Sequence, residues 1–493
     1  MPSPFIVLAN REPYEHHRAS NGTVELRRPT GGLVSALDPV LRETGGVWVA
    51  WGSGSADRDN IGPGDRVGVP PEQPSYTLRR VWLDECEADG YYLGFANSAL
   101  WPLCHLLVQH FSFRAEHWEC YKRVNERFAT AVLEEAEQLG ANAPVWVQDY
   151  HFALVPALLR EARPRLVIHQ FWHIPFPPPD ILRLLPTTVY DAVLRGLLGN
   201  DLLAFQTERY AHNFLDCVDQ FIPEAAANVD AMRVEIDGRV IDVGAHPISI
   251  DVAEFEALAG APATAASATA LREQYAPGGR QLGVSVDRAD YTKGIPERLR
   301  ALDLLFERSP ELRGRFTFVF VAVPSRNELV AYQELESEVA TLTAGINVRF
   351  GTDGWTPIVL LTDSIDAPGL AAVYRAADLC LVSSLQDGMN LVAKEYVACQ
   401  TDERGVLVLS RFTGAADEID GALLINPFNV DGFADGIRTA LEMPDAERRD
   451  RMGRMRRQLR EATIFDWLDE VLGRVEQITK ARALAPNATD NAS

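Results

Sequence analysis

Cysteine is scarce and scattered. The six residues Cys86, Cys104, Cys120, Cys217, Cys380 and Cys399 include no Cys-x-x-Cys pair. That spacing argues against a zinc ribbon or a disulfide framework, and buried free thiols are the expectation. No apolar run approaches the roughly 18 residues a membrane span needs, and no basic segment precedes the strand-like Phe5 to Ala9. A cytoplasmic protein with no membrane partner is expected. Basic charge is in deficit: 47 Lys and Arg against 69 Asp and Glu leave a formal charge of -22. Such a surface repels nucleic acid, so a phosphate ligand must be caught by a local cluster of cations. There is no Walker A sequence and no His-Glu-x-x-His, and Gly52-Ser53-Gly54 starts a dinucleotide fingerprint whose third glycine position is Asp57. Asp57-Arg58-Asp59 has the D-x-D form of a metal–diphosphate site but lies in a Gly/Ser/Asp-rich loop. A solvated turn is expected there, and no metal site is assigned.

What is present is ample for two domains: 493 residues, 47% hydrophobic and 24% charged. Strand-like runs fall at Phe5 to Ala9, Val47 to Trp51, Thr77 to Leu83, Val145 to Gln148, Leu166 to Phe171 and Leu202 to Phe205. Helical stretches lie between several of them, notably Phe113 to Leu139, Ala153 to Glu161 and Tyr210 to Phe221. A second series follows the Ala/Thr-rich stretch Ala257 to Ala270, with strands at Leu282 to Val286, Phe316 to Val321, Val348 to Phe350, Val359 to Leu361, Asp378 to Ser383, Val406 to Leu409 and Ala422 to Ile425. The expected class is α/β, two doubly wound Rossmann-like domains facing across a cleft and joined near 247–270. The domains are placed at 1–250 and 251–465, with a helix at 466–482 crossing back to the first and a disordered tail at 483–493.

Four stretches carry candidate chemistry. Asp387-Gly388-Met389-Asn390-Leu391 joins the apolar Asp378 to Ser383 to a helical segment containing Glu395. Strand, Gly-turn, helix aims free N–H groups and a positive dipole end at an anion. Arg288 and Lys293 follow a buried strand and precede the Pro296 helix start, two cations suited to a diphosphate. Gln148-Asp149-Tyr150-His151 and His173-Ile174-Pro175-Phe176-Pro177 lie at strand ends of the first series, with Asp149 a candidate hydrogen-bond partner or base. Last come Asn10-Arg11-Glu12, Gly31-Gly32, Tyr92, Trp101 and Pro324-Ser325-Arg326. The two arginines of that set would grip one phosphate from opposite halves, and Tyr92 and Trp101 offer either a sugar-binding wall or core packing.

In this order, these motifs, with Asn97 to Pro102, Asp290 to Gly294 and Gly354-Trp355-Thr356-Pro357, resemble the trehalose-6-phosphate synthases across roughly residues 4 to 475. Those are retaining glycosyltransferases of family 20 with the GT-B fold. The resemblance implies a nucleotide-diphosphate glucose donor, UDP-glucose by default, whose diphosphate is held by Arg288, Lys293 and the N–H groups of Met389, Asn390 and Leu391. It implies Glu395 on the ribose and Asp387 and His173 on the glucosyl hydroxyls. The implied acceptor is glucose 6-phosphate, its phosphate gripped by Arg11 and Arg326, with Gly32, Tyr92 and Trp101 around it and Asp149 on its hydroxyls. Arg288, Lys293, His173 and Asp149 are the implied catalytic set. No cofactor or metal is implied, and a homo-oligomer is open. Gln386 departs from the arginine usual in the family, and Arg11-Glu12-Pro13-Tyr14 is similar to the start of glucosylglycerol-phosphate synthases. That relative, a pseudo-glycosyltransferase, and a catalytically silent sugar-phosphate sensor are the alternatives.

Overall fold

Phe5–Leu8, Leu202–Phe205 and Leu379–Val382 are buried along their whole length. Such runs form strands covered on both faces, which is the condition of a parallel sheet between helices. A computed structural model describes residues 4–28, 32–140 and 143–484. It divides into two units, Met1–Pro247 with Phe465–Ser493, and Ile248–Ile464.

The first unit holds β1 (Phe5–Leu8), β2 (Glu15–Arg18), β3 (Val24–Arg27), β4 (Gly46–Trp51), β5 (Arg66–Val69), β6 (Tyr76–Val81), β7 (Val145–Gln148), β8 (Ile168–Trp172), β9 (Leu202–Phe205), β10 (Ala226–Asn228), β11 (Arg233–Ile236) and β12 (Arg239–Ala245). Ten of these make one sheet in the order β10-β11-β12-β9-β8-β7-β1-β4-β6-β5, and β2 and β3 form a separate hairpin. From β12 to β6 neighbouring strands are parallel. Strand order runs one way from β1 to β4 and β6, and the other way from β7 to β8 and β9. The reversal lies between β1 and β7.

The second unit holds β13 (Gln281–Arg288), β14 (Phe316–Val323), β15 (Ile358–Leu361), β16 (Leu379–Val382), β17 (Val406–Ser410) and β18 (Leu423–Ile425), ordered β15-β14-β13-β16-β17-β18. All pairs are parallel. Here the order reverses between β13 and β16. In open α/β sheets the crevice at such a reversal, beyond the carboxyl ends, is where ligands bind.

Two expectations are corrected. Val348 to Phe350 is not a strand but the end of the helix Val330–Phe350. Its buried Tyr332, Leu335, Val339, Thr343, Ile346 and Phe350 recur at helical spacing, and that stripe overrides the β-branched Val348, which is 87% exposed. The Ala/Thr-rich stretch forms the helices Val252–Gly260 and Pro262–Tyr275, the latter packed on Ala367–Ala376. Alanine's high helix propensity outweighs the scarcity of large apolar anchors. Asp57-Arg58-Asp59 is not a solvated turn, since Asp57 is fully buried.

The final helix, Ile464–Leu484, packs in the first unit, where Val475 joins Val167 and Leu202 and Trp467 meets Trp146 and Phe171. Residues 485–493, where most of the expected tail falls, lie outside the described residues. Among the described residues no helix is long and apolar enough to cross a membrane.

The helical assignment of Val348 has a direct test. Val348→Ala is expected to raise stability by about 0.5 kcal/mol, because alanine is the better former at an exposed helix position. A loss in denaturant melts would instead indicate a strand.

Candidate functional site

In the second unit, candidate residues gather at the reversal between β13 and β16. Beyond β16 the chain turns through Ser383 to Asn390 into the helix Leu391–Cys399. Asn390 caps that helix, its Oδ1 accepting from the Ala393 N–H at 3.0 Å. It does so at φ 105, a conformation side chains rarely adopt. The segment after β17 fixes the turn: Phe412 O accepts from the Asp387 N–H, and Met389 O from the Ala415 N–H. Gly414 permits this approach, because a Cβ there would lie 2.2 Å from Gly388 O.

The loop after β13 is drawn onto the same turn. Gly294 has φ +60, and a Cβ on it would meet Ser383 O at 2.3 Å. This closeness lets the Lys293 ammonium reach Asp387 Oδ2 at 2.6 Å. The same oxygen accepts from Ser384 Oγ at 3.0 Å and Asn390 Nδ2 at 3.1 Å. Beneath them lies Arg298, fully buried, donating to Ser383 Oγ at 2.9 Å, to Ser285 Oγ, and to Asp287 Oδ2 at 2.8 Å. Ser383 Oγ in turn donates to Lys293 O at 2.9 Å. One guanidinium thus ties the ends of β13 and β16 together.

Arg288 is exposed at the end of β13. Arg326, at φ 52 beyond β14, is 3.2 Å from buried Asp290 and donates to Tyr332 Oη at 2.6 Å. Burial opposes ionisation of Asp290, but Arg326, Arg288, the Thr292 N–H and Lys293 outweigh it and hold its carboxyl at about 2. Glu395, one turn into the helix, accepts from Tyr374 Oη at 3.0 Å, and burial raises its pKa. Gln386 is buried, at 6% exposure.

In the first unit, the reversal between β1 and β7 brings Arg11 beside Asp149 in topology. Asp149 has φ 70 and ψ -179, a region open essentially to glycine alone. It is held there by its N–H on Phe171 O at 2.7 Å, and its Oδ1 accepts from the His173 N–H at 3.1 Å. The His173 ring sits between two amides, Nε2 donating to Gln148 Oε1 at 2.9 Å and Nδ1 accepting from Gln206 Nε2 at 3.3 Å. Burial pushes its pKa down to about 3, so the ring is neutral near pH 7.

Tyr92 lies on a π-helical segment, Asp89–Leu100, that leads into Trp101, whose N–H bonds to Ala96 O. Such segments are rare and mark functional sites. Tyr92 stacks on His151, and Trp101 packs on His105 and Tyr150. Both aromatics therefore border the Asp149 turn. Gly32 opens the helix Gly32–Thr44, while Gly31 and Thr30 lie outside the described residues.

The structure thus collects Arg288, Lys293, Asp387 to Leu391 and Glu395 in one unit, and Arg11, Tyr92, Trp101 and Asp149 in the other. His173 lies in the same unit as the second group and Arg326 in the same unit as the first. Sequence reading missed Arg298, Tyr374 and Gln206, and it gave no role to Asp290 or Gln148 within the motifs that contain them. Arg298 left one signal: it interrupts the apolar stripe of Ile295, Leu299 and Leu302 on its helix. The others left none, because their roles depend on partners distant in sequence.

Residues 3–477 match the profile of glycosyltransferase family 20. The chain belongs to that family. This glycosyltransferase is 40% identical over 471 residues to a trehalose-6-phosphate synthase of Mycolicibacterium paratuberculosis, covering 94% of each chain. It is 37% identical over 479 residues to an α,α-trehalose-phosphate synthase [UDP-forming] A of Dictyostelium discoideum, covering 97% of this chain and only 62% of that longer relative. Among solved structures, the α,α-trehalose-phosphate synthase (UDP-forming) of Burkholderia xenovorans in complex with glucose-6-phosphate superposes with a TM-score of 0.85 at 34% identity, over 96% of this chain and all of that one. The two Rossmann-like units are those of the GT-B class.

Two outcomes test the site. Arg298→Ala is expected to cost about 3 kcal/mol or more in thermal unfolding, because Asp287 is left buried without its partner. The His173 imidazole resonances should stay still between about pH 5 and 8, protonating only as pH falls towards the lowered value.

Proposed function

We propose that this glycosyltransferase moves glucose, with retention, from a nucleotide-diphosphate glucose to glucose 6-phosphate, giving α,α-trehalose 6-phosphate. The observation that carries the reading is the coincidence of motif and topology. The cationic loop pair falls at the strand-order reversal of the second unit, and Arg11 and Asp149 at that of the first. UDP-glucose is the proposed donor, in keeping with the UDP-forming relatives, and glucose 6-phosphate the acceptor, in keeping with the Burkholderia complex. A cytoplasmic location goes with these substrates.

Departure of the nucleoside diphosphate places negative charge on the leaving phosphate while the glucosyl carbon becomes oxocarbenium-like. Arg288, Lys293 and the N–H groups of Met389, Asn390 and Leu391 are the preorganised positive charge that such a step needs. Positive charge from side chains and backbone does this work in the proposal without a metal or cofactor. Lys293 carries Asp387 with it, so the carboxylate proposed for the glucosyl hydroxyls and the cation proposed for the phosphate are set by one ion pair. Glu395, oriented by Tyr374, takes the ribose hydroxyls. Gly388 lies in the same turn, its carbonyl closely approached by Gly414.

His173, neutral and held by two glutamines, orients rather than shuttles a proton. Its N–H fixes Asp149, which takes acceptor hydroxyls between Tyr92, Trp101 and Gly32. The incoming hydroxyl then loses its proton to the departing phosphate on the same face, which accounts for retention without a protein nucleophile. Arg11 grips the acceptor phosphate, and Arg326, restrained by Asp290 and Tyr332, is its proposed second cation.

A donor and acceptor panel tests the reading, with UDP-, ADP- and GDP-glucose each offered glucose 6-phosphate or glycerol 3-phosphate. Trehalose 6-phosphate from UDP-glucose is the expected product, and its absence with every nucleotide would defeat the proposal. Arg288→Ala should lower kcat by about 100-fold or more while the melting temperature holds, since the lost charge matters most in the transition state. Near-normal turnover would remove Arg288 from the chemistry.

A further inference from the structure

A second buried charge cluster begins at Glu12, the residue next to Arg11 in the chain. Glu12, Asp57 and Arg80 come from the β1 loop, a turn after β4 and strand β6, and all three are fully buried. Arg80 donates from Nε to Glu12 Oε2 at 2.7 Å, and its Nη2 lies 2.8 Å from Asp57 Oδ1. It also donates to the carbonyls of Tyr14 and Asn60, each at 3.0 Å. Asp57 accepts from the N–H groups of His16 at 2.8 Å and Gly54 at 2.6 Å, while Glu12 accepts from the Ser53 N–H at 3.2 Å.

Two carboxylates thus share one guanidinium in a dry site. Burying a second, uncompensated negative charge is costly, so one proton stays on the pair. Burial, the hydrogen bond to Asp57 and that residue's charge push Glu12 up to about 9, against the pull of Arg80. Burial also opposes ionisation of Asp57, but the Glu12 hydroxyl, the His16 and Gly54 N–H groups and Arg80 hold it below the usual range. His16 is kept neutral by burial and Arg80. The surrounding groups are already paired: Arg18 with Asp59, Arg79 with Asp65, His17 with Glu15, and Arg58 over the Trp82 ring.

The consequence falls on Arg11. Its side chain is exposed, while its carbonyl accepts from Trp48 Nε1 at 3.1 Å. Its neighbours on both sides are locked, Asn10 through the Tyr91 hydroxyl at 2.9 Å and Glu12 through Arg80. Through His16 and Tyr14 the same cluster anchors the β2 end of the hairpin that follows.

We propose that Glu12, Asp57 and Arg80 are positioning residues for the acceptor phosphate, holding the backbone at Arg11 so that its guanidinium is preset. This rests on the acceptor-site reading of Arg11. Loss of the Glu12 proton at alkaline pH puts a second negative charge next to Arg11 in the chain and frees the carboxylates to repel, so acceptor affinity falls there. The folded chain also holds a proton that the unfolded chain sheds above its ordinary value of 4.5, so stability declines as pH rises from there towards about 9.

Calorimetric titration of glucose 6-phosphate, with UDP-glucose titrated in parallel, tests this at about pH 7 and about pH 9.5. Arg11→Ala is expected to weaken glucose 6-phosphate binding by about tenfold or more at both pH values. Asp57→Asn should weaken it by a similar factor of about ten and leave UDP-glucose binding within about twofold. Glu12→Ala should resemble Asp57→Asn, whereas Glu12→Gln, which imitates the protonated acid, should recover most of the loss and abolish the alkaline fall. If wild type fails to bind glucose 6-phosphate, or Arg11→Ala has no effect, the acceptor reading itself falls. If Arg11→Ala weakens binding but Asp57→Asn does not, or Glu12→Gln keeps the alkaline fall, only the positioning role is overturned. A loss shared equally by both ligands marks a structural role and overturns it too.

Discussion

Both halves of this protein depend on one constraint, the reversal of strand order in a parallel sheet. Parallel strands must be joined by crossovers, and those on either side of a reversal leave over opposite faces. The loops at that point diverge, and no neighbouring crossover covers the backbone groups they expose. A ligand can take their place. In the second unit, Lys293 and the Asp387 turn occupy this point, and in the first, Arg11 and Asp149 do. Everything else described is what holds those four loops still.

Holding them still costs backbone strain and buried charge. Asp149, Arg326 and Asn390 are among eight non-glycine residues with positive φ among the described residues, and each lies in a candidate-site loop. Each also has anchors on its segment: Phe171 O for Asp149, Tyr332 and Asp290 for Arg326, and the Ala393 N–H for Asn390. Buried ions do the same work at longer range. Arg298 joins β13 to β16, and Arg80 joins the β1 loop to β6. A buried pair adds little net stability over an apolar core, but it specifies one geometry, because breaking either partner strands a charge. Fixed geometry is what an electrostatically assisted transfer requires.

The resemblance to family 20 was legible because its motifs are local. Asp387 to Leu391, Gln148 to His151 and Arg288 to Lys293 are short loops whose turn chemistry is written in adjacent residues. The strand runs were legible for the same reason, apart from Val348 to Phe350. There a short apolar window looked like a strand, and only the full stripe from Tyr332 to Phe350 shows the helix. The Asp57 turn was misread more instructively. Its composition is that of a solvated loop, and nothing nearby in sequence announces Arg80 as its partner.

By itself, the sequence determined the two α/β series, the cationic and glycine-containing loops, and the net acidic charge that singles those loops out as candidate phosphate sites. These follow from periodicity, turn chemistry and charge, which are local or additive. Only the tertiary structure decided the strand order, and with it which loops share a crevice. It alone placed Arg298 and Arg80 in the interior, paired Glu12 with Asp57, and neutralised His173 between two glutamines. Burial and ion pairing arise between residues far apart in the chain, and no window of sequence contains both partners.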